Sequence, residues 1–405
     1  MKILVLNCGS SSIKYQFVET KDKTTLAKGQ VERIGMSSAI LTHQPINKDK
    51  IKIVGEILDH SIAIEYVIAV LLSPNHGVIK DKNEIEAVGH RVIHGGETFS
   101  GSVLITDAVM KALKDNIELA PLHNPPSIKG IEAAKAHLPN APQCGVFDTS
   151  FHVKMPPRAY LYGIPLELYK RYKIRRYGFH GTSHRFVSQR ASAMLNKPIE
   201  KLKIITCHLG NGSSIAAVDG GRSIDTTMGF TPLEGLVMGT RCGDMDPSVI
   251  LYIMAKEGLT QAEANTLLNK HSGMIGLSGV SSDMRELEDA VMAGDKKAKD
   301  AFDVFCYRIK KYVGAYTAAL GGLDAIVFTG GIGENSEMVR QAVCKDMGYL
   351  GIELNEELNQ SRPGGEVDLS TSNSKVKVLK IPTNEELVIA LDTEEIVEKG
   401  LSEVK

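Results

Sequence analysis

The sequence has no tryptophan, and its 12 tyrosines and 10 phenylalanines make up only 5% of the chain. That scarcity argues against a carbohydrate platform or a base-stacking surface. Charge of one sign is also lacking: 47 basic side chains face 48 acidic ones, for a formal net charge of −1. No field exists to gather nucleic acid or an anionic membrane, so neither is expected as a partner. The densest basic run, Lys170 to Arg176, reads as a solvated rim. Six cysteines (Cys8, Cys144, Cys207, Cys242, Cys306, Cys344) are scattered without a C-x-x-C pair, which excludes a zinc knuckle or a redox dithiol and suits reduced thiols. No run approaches the roughly 20 apolar residues of a membrane span. The N-terminus opens directly on an apolar strand without a signal-like n-region, so a cytoplasmic, soluble protein is expected. Missing too are the P-loop, since no Gly-Lys dipeptide occurs, and the H-R-D and D-F-G of protein kinases.

At 405 residues the chain exceeds one ordinary core and predicts two domains. Lys2 to Asn7 reads as a buried strand, Cys8 to Ser12 as a turn and Ile13 to Val18 as the return strand. The same grammar recurs half a chain later in Lys203 to His208, Leu209 to Ser214 and Ile215 to Val218, with Gly9-Ser-Ser-Ser-Ile13 overlying Asn211-Gly-Ser-Ser-Ile215. A repeat at that distance points to a duplicated domain. Strands at Glu86 to Val92 and Gln143 to Phe147 alternate with helical stretches at Ile62 to Leu72 and Ser127 to His137, which predicts α/β architecture. Asp246-Pro247 and Thr260 to Glu263 carry helix-start signals, and apolar residues from Phe302 to Leu320 form one helical stripe. Val376 to Ile381 reads as a strand, and Thr383-Asn-Glu-Glu386 as a capping box opening the final helix. The expected domains are 1–150, rejoined by a C-terminal helix at 384–405, and 151–383.

Both hairpin tips combine glycine with amides and hydroxyls that can wrap a phosphate. The first adds Asn7 and Lys14, the second His208 and Asn211. Asp324 to Gly331 reads as a strand entering a glycine turn, where Gly331-Ile-Gly333 could admit a nucleoside against bare backbone. Its G-x-G-x-x-G lacks the last glycine, so a nicotinamide site is disfavoured. His180 and His184 form H-x-x-x-H, but the glutamate of a zinc helix is absent and Gly181 interrupts the helix.

Four stretches carry a family resemblance: Asn7-Cys-Gly-Ser-Ser-Ser-Ile-Lys14, His208-Leu-Gly-Asn-Gly212, the segment Asp225 to Arg241, and Thr329-Gly-Gly-Ile-Gly-Glu-Asn335. Together they resemble the acetate kinase family along the whole chain. The resemblance implies an α/β fold of duplicated ribonuclease-H-like, actin-like ATPase domains with a nucleotide cleft between them. It implies a homodimer in which ATP and a short-chain carboxylate exchange a phosphoryl group, giving ADP and an acyl phosphate, with Mg²⁺ as cofactor and Mn²⁺ able to substitute. Catalytic positions match at Arg91, Asp148, His180 and Arg241. Arg91, Ile93, Leu122, Phe179 and Pro232 match the carboxylate pocket, and His123 reads as a loop residue lining it. Nucleotide positions match at Ser10, Ser12, Lys14, His208, Leu209, Gly210, Asn211, Gly212, Asp283, Met284, Arg285, Gly331, Ile332, Gly333, Glu334 and Asn335. Asn7, Asp148 and a glutamate of Thr383 to Glu386 match the metal shell. Glu385 is preferred over Glu386, because Glu386 occupies the capping-box position. Ile93 stands where acetate-preferring members carry valine, so propionate and butyrate stay open as acceptors, as does pyrophosphate as donor. The reading from another class is an actin-like, nucleotide-switched ATPase, which leaves the paired arginines without a role.

Overall fold

The computed structural model describes residues 1–121 and 123–404. Two compact units are formed, one by Met1–Val153 together with the chain from Asn384 onward, the other by Lys154–Thr383.

In the first unit five strands make the centre of a nine-stranded sheet: β1 (Lys2–Cys8), β2 (Ser12–Glu19), β3 (Thr24–Glu32), β4 (Ala87–Val92) and β5 (Gln143–Phe147). Their order is β3-β2-β1-β4-β5, with β1 antiparallel to β2 and parallel to β4. β1 is apolar on both faces because both are covered. Leu4 and Leu6 pack with Ile64, Val67 and Leu71 of helix His60–Leu71, while Ile3 and Val5 pack with Ile389 and Ala390 of helix Glu385–Lys399.

The second unit repeats this plan with β6 (Lys203–Leu209), β7 (Ser213–Asp219), β8 (Arg222–Thr226), β9 (Ala325–Thr329) and β10 (Lys377–Lys380), in the order β8-β7-β6-β9-β10. Again the first strand is antiparallel to the second and parallel to the fourth. Identical order and sense in both sheets is the mark of the duplication. The strand boundaries set Gly9 against Gly210, one residue from the sequence overlay of Gly9 on Asn211. Helix Lys296–Leu320 buries Phe302, Phe305, Ile309, Val313, Tyr316 and Leu320 in the core formed with β6, β7 and β9, and helix Gly181–Leu195 packs against β6 and β9.

Two local expectations need correction. The final helix is capped by Asn384, whose side chain accepts from the Leu387 amide, so Glu386 has no capping-box duty. Thr383 turns away, its hydroxyl donating to Ser183 and its amide to Glu334. Residues 331–335 form a short helix, Gly330–Asn335, rather than a turn. Only Gly330 takes a positive φ there (77°), and an added Cβ would lie 2.7 Å from the Leu209 carbonyl oxygen. His123 is a turn residue at the N-cap of helix Asn124–His137, outside the helix as expected.

Candidate active site

In the first unit the chemistry gathers where β1, β4 and β5 end. The Arg91 guanidinium forms a two-pronged pair with Asp148: Nε donates to Oδ1 at 2.9 Å and Nη2 to Oδ2 at 2.7 Å. Parallel pairing of β4 and β5 sets this up, with Arg91 opposite Val146 and the Asp148 amide donating to the Val92 carbonyl. Burial works against the Arg91 cation, but the neighbouring Asp148 and Glu385 carboxylates outweigh it and raise its pKa. Glu385, first residue of the final helix, brings Oε1 to 3.9 Å from Arg91 Nη2. That oxygen is buried without a hydrogen-bond partner among the described residues. Burial raises the Glu385 pKa, opposed by Arg91 and reinforced by Asp148.

Asn7 and Lys14 face each other across the β1–β2 hairpin and line a cleft of about 280 Å³ with Arg91, Glu385 and Glu386. The hairpin is closed by the Gly9 amide on the Ser12 carbonyl, and His60 Nε2 lies 2.7 Å from the Gly9 carbonyl oxygen. Nothing in the sequence reading singled out His60, which sits 51 residues from Gly9. Ser10 is exposed at the tip and Ser12 half-buried. Ile93, half-buried, follows β4, whereas Leu122 lies outside the described residues.

Oxygen donors suit a hard divalent cation that keeps several of its waters. Asn7 and Glu385 supply an amide oxygen and an unpartnered carboxylate oxygen, so this corner fits such an ion. Both oxygens of Asp148 are already engaged by Arg91.

In the second unit the tip of the β6–β7 hairpin meets Arg241 and His180. A Cβ on Gly212 would lie 3.4 Å from Arg241 Nη1 and 3.7 Å from His180 Cε1. Arg241 is steered by its own loop: Nη1 donates to the Pro232 carbonyl at 3.2 Å, and the Gly239 amide donates to the Asn211 carbonyl. Gly239 must lack a side chain, since a Cβ would sit 1.7 Å from Asn211 Oδ1. Among the described residues no carboxylate stands within ion-pair distance of Arg241, and burial lowers its pKa without compensation. Phe179 is buried directly before His180, which adopts a left-handed φ of 56° at the head of helix Gly181–Leu195. The His180 ring stacks on His208 at 4.2 Å between centroids.

A separate cleft of about 560 Å³ in this unit is lined by Gly210, Asn211, Asp283, Met284, Arg285, Gly331, Ile332 and Asn335. Its size is that of a small-ligand pocket. Asp283 is the N-cap of helix Met284–Met292 and also pairs with the exposed Arg285. Glu334 points elsewhere, accepting from the amides of Gly330 and Thr383 and so fixing the glycine segment to the end of the unit. Gly333 is likewise turned inward, toward Phe328 and the Cys207 carbonyl.

Two copies of one sheet order, each with a glycine-tipped hairpin near a buried or half-buried arginine, define an enzyme of the actin-like ATPase class that handles phosphoryl groups. The family model described as the Acetokinase family matches residues 2–391. The acetate kinase of Thermoanaerobacterium thermosaccharolyticum is 60% identical over 98% of this chain and 99% of its own length. That of Desulfitobacterium hafniense is 57% identical over 99% and 100%. Among solved structures, Porphyromonas gingivalis acetate kinase superposes with a TM-score of 0.96 at 48% identity, covering 98% of this chain and 99% of that one. A propionate kinase from Francisella tularensis superposes at 0.90 with 41% identity, covering 97% and 99%. The chain belongs to the acetokinase family, and it is a kinase.

Proposed function

We propose that the chain is an acetate kinase, transferring the γ-phosphoryl group of ATP reversibly to the carboxylate of acetate to give ADP and acetyl phosphate. The observation that carries this reading is Arg241, a half-buried guanidinium beside the Gly212 tip and His180 with no acid among the described residues to balance it. A carboxylate is ionised at neutral pH and needs no general base to attack phosphorus. What hinders the reaction is the repulsion between two anions. Arg241 stabilises the charge on the transferring group, and its planar fork suits phosphoryl oxygens. Arg91 receives the acetate carboxylate, and Asp148 holds the Arg91 fork rigid. His180 donates a hydrogen bond to the phosphoryl oxygens during direct in-line attack.

The family resemblance assigns recognition of the acetate methyl group to Ile93, Leu122, Phe179 and Pro232. Each buried methylene is worth about 0.8 kcal/mol, so selection against propionate is modest. Acetate is favoured over propionate because the relatives named acetate kinase reach 60% identity, against 41% for the structure named propionate kinase. ATP places its adenosine in the cleft of Asp283, Gly331 and Asn335, with its phosphates toward Gly210 and Asn211 on the same cleft wall. Asn7 and Glu385, with Asp148, would hold Mg²⁺, which would supply neutralisation of phosphate charge. Mn²⁺ substitutes for it.

The chain works as a cytoplasmic homodimer. Support for a second copy comes from helix Pro247–Glu257, an apolar segment with no buried residue, in which Leu251 and Tyr252 are 66% and 64% exposed. No described helix is long and apolar enough to cross a membrane.

Initial-rate measurement of ADP release tests the reading. ADP release from ATP and Mg²⁺ rises with added acetate and is near background without it. Release indifferent to acetate would instead support a nucleotide-switched ATPase.

A further inference from the structure

Behind His180 runs a chain of buried polar groups that the reaction itself does not use. His180 Nδ1 lies 2.9 Å from Ser214 Oγ. The same hydroxyl lies 2.8 Å from His184 Nε2, and His184 Nδ1 lies 2.7 Å from Thr206 Oγ1. Thr206, His184 and Ser214 are all fully buried. Thr206 sits between the apolar residues Ile205 and Cys207 in β6, Ser214 stands beside Ile215 near the start of β7, and His184 sits one helical turn after His180.

Hydroxyl chemistry gives this chain a direction. Among the described residues the Thr206 hydroxyl has His184 as its one hydrogen-bond partner, and Thr206 is fully buried. A buried hydroxyl hydrogen left unpaired is costly, so Thr206 donates to His184 Nδ1. His184 therefore carries its proton on Nε2 and donates to Ser214 Oγ. Ser214, having accepted from His184, donates its own hydrogen to His180 Nδ1. That leaves His180 with its proton on Nε2, the ring atom 3.8 Å from a Cβ on Gly212 and on the Arg241 side of the hairpin tip.

We propose that Thr206, His184 and Ser214 are positioning residues that lock His180 into the neutral Nε2–H tautomer, so that it meets the substrate as a hydrogen-bond donor. The inference deepens the acetate kinase reading and rests on it for the word substrate. The tautomer itself stands apart from that reading. Running the chain backwards would leave the Thr206 hydrogen unpaired in the core, so the fold opposes the Nδ1–H form.

The test combines spectroscopy with variants. In ¹⁵N-histidine spectra of the intact protein, His180 Nδ1 is expected as an unprotonated, pyridine-type nitrogen and Nε2 as a protonated, pyrrole-type one. S214A removes the link and is expected to lower kcat about tenfold with the KM for ATP and acetate changed less than twofold. T206V keeps the side-chain shape but removes the donor, and should show mixed His180 tautomers with a smaller fall in kcat. T206S restores the donor and the wild-type values. A wild-type spectrum with the proton on Nδ1 overturns the proposal, as does S214A or T206V with an unchanged His180 spectrum. Loss of kcat in T206S equal to that in T206V also overturns it, because a packing role alone would then suffice. If no acetyl phosphate is made at all, the functional reading fails while the spectrum still decides the tautomer.

Discussion

At Gly89 the helix carrying Glu385 lies tightly against the sheet, and Gly89→Ala converts that closeness into a measurable loss. Gly89 and Arg91 project from the same face of β4, the face covered by helix Glu385–Lys399. A methyl group at Gly89 would lie 2.6 Å from Ile389 Cγ2 and 2.7 Å from Thr393 Oγ1. Ordinary contact between such atoms is about 3.5–4.0 Å, so the helix must retreat by about 1 Å. Overpacking of this kind costs roughly 1–3 kcal/mol. At roughly 2–4 °C per kcal/mol, thermal unfolding should fall by roughly 2–12 °C. The retreat also moves Glu385, one helical turn before Ile389, away from its 3.9 Å approach to Arg91. A misplacement of about 1 Å at a reacting centre can cost as much as about 10²-fold in rate. Differential scanning calorimetry and the rate of acetate-dependent ADP release at saturating Mg²⁺ measure the two effects. G89A with an unchanged melting temperature refutes the steric argument, and a lowered one with unchanged kcat refutes the claim that the helix positions the site.

Arg241→Ala should lower kcat by about 10²- to 10³-fold, the scale of one lost transition-state donor, and Arg241→Lys should recover little because an ammonium lacks the planar fork; steady-state kinetics of both decide it. Glu385→Gln should raise the Mg²⁺ concentration for half-maximal rate by about 10- to 100-fold, while Glu386→Gln shifts it less than about twofold; a magnesium titration that ranks them the other way assigns the ion to Glu386. His90 is buried against Gln143, and burial pulls its pKa from 6.5 down to about 4. The unfolded chain therefore takes up a proton between those values that the fold refuses. Stability is full above pH 6.5 and falls as the pH drops to about 4, by up to about 3 kcal/mol for this one residue. Denaturant unfolding across that range should be flatter for H90Q, and parallel curves for both proteins would count against it.

Much of this architecture was readable because the signals are local. A hairpin announces itself within about 18 residues, so the strand-turn-strand repeat pointed to two copies of one sheet before any pairing was known. Helix starts at Asp246 and Thr260 were equally plain, since a cap and its recipient amide lie within three residues. The same rule slipped at the final helix, where Thr383 and Asn384 are both good caps and only the fold decides between them. Arg91 and Asp148 were found separately by resemblance, but their pairing depends on the parallel register of β4 and β5, which no sequence pattern encodes. The Thr206, His184 and Ser214 chain was missed for a related reason. Its members are up to 30 residues apart and meet only when helix Gly181–Leu195 lies on β6. The available hint was the hydroxyls beside apolar residues in two strands, which invite the question of what satisfies them. Gly89 left no trace either, because a close helix approach reads as an ordinary glycine until the helix is in place.

The central claim is that a carboxylate, rather than water, accepts the phosphoryl group. Trapping with hydroxylamine tests it directly, since an acyl phosphate is converted to a coloured hydroxamate. With ATP, Mg²⁺ and acetate the hydroxamate should accumulate in step with ADP, more weakly with propionate and butyrate, and not at all without an acid. ADP formed with no hydroxamate, or hydroxamate that ignores which acid is present, would contradict the account.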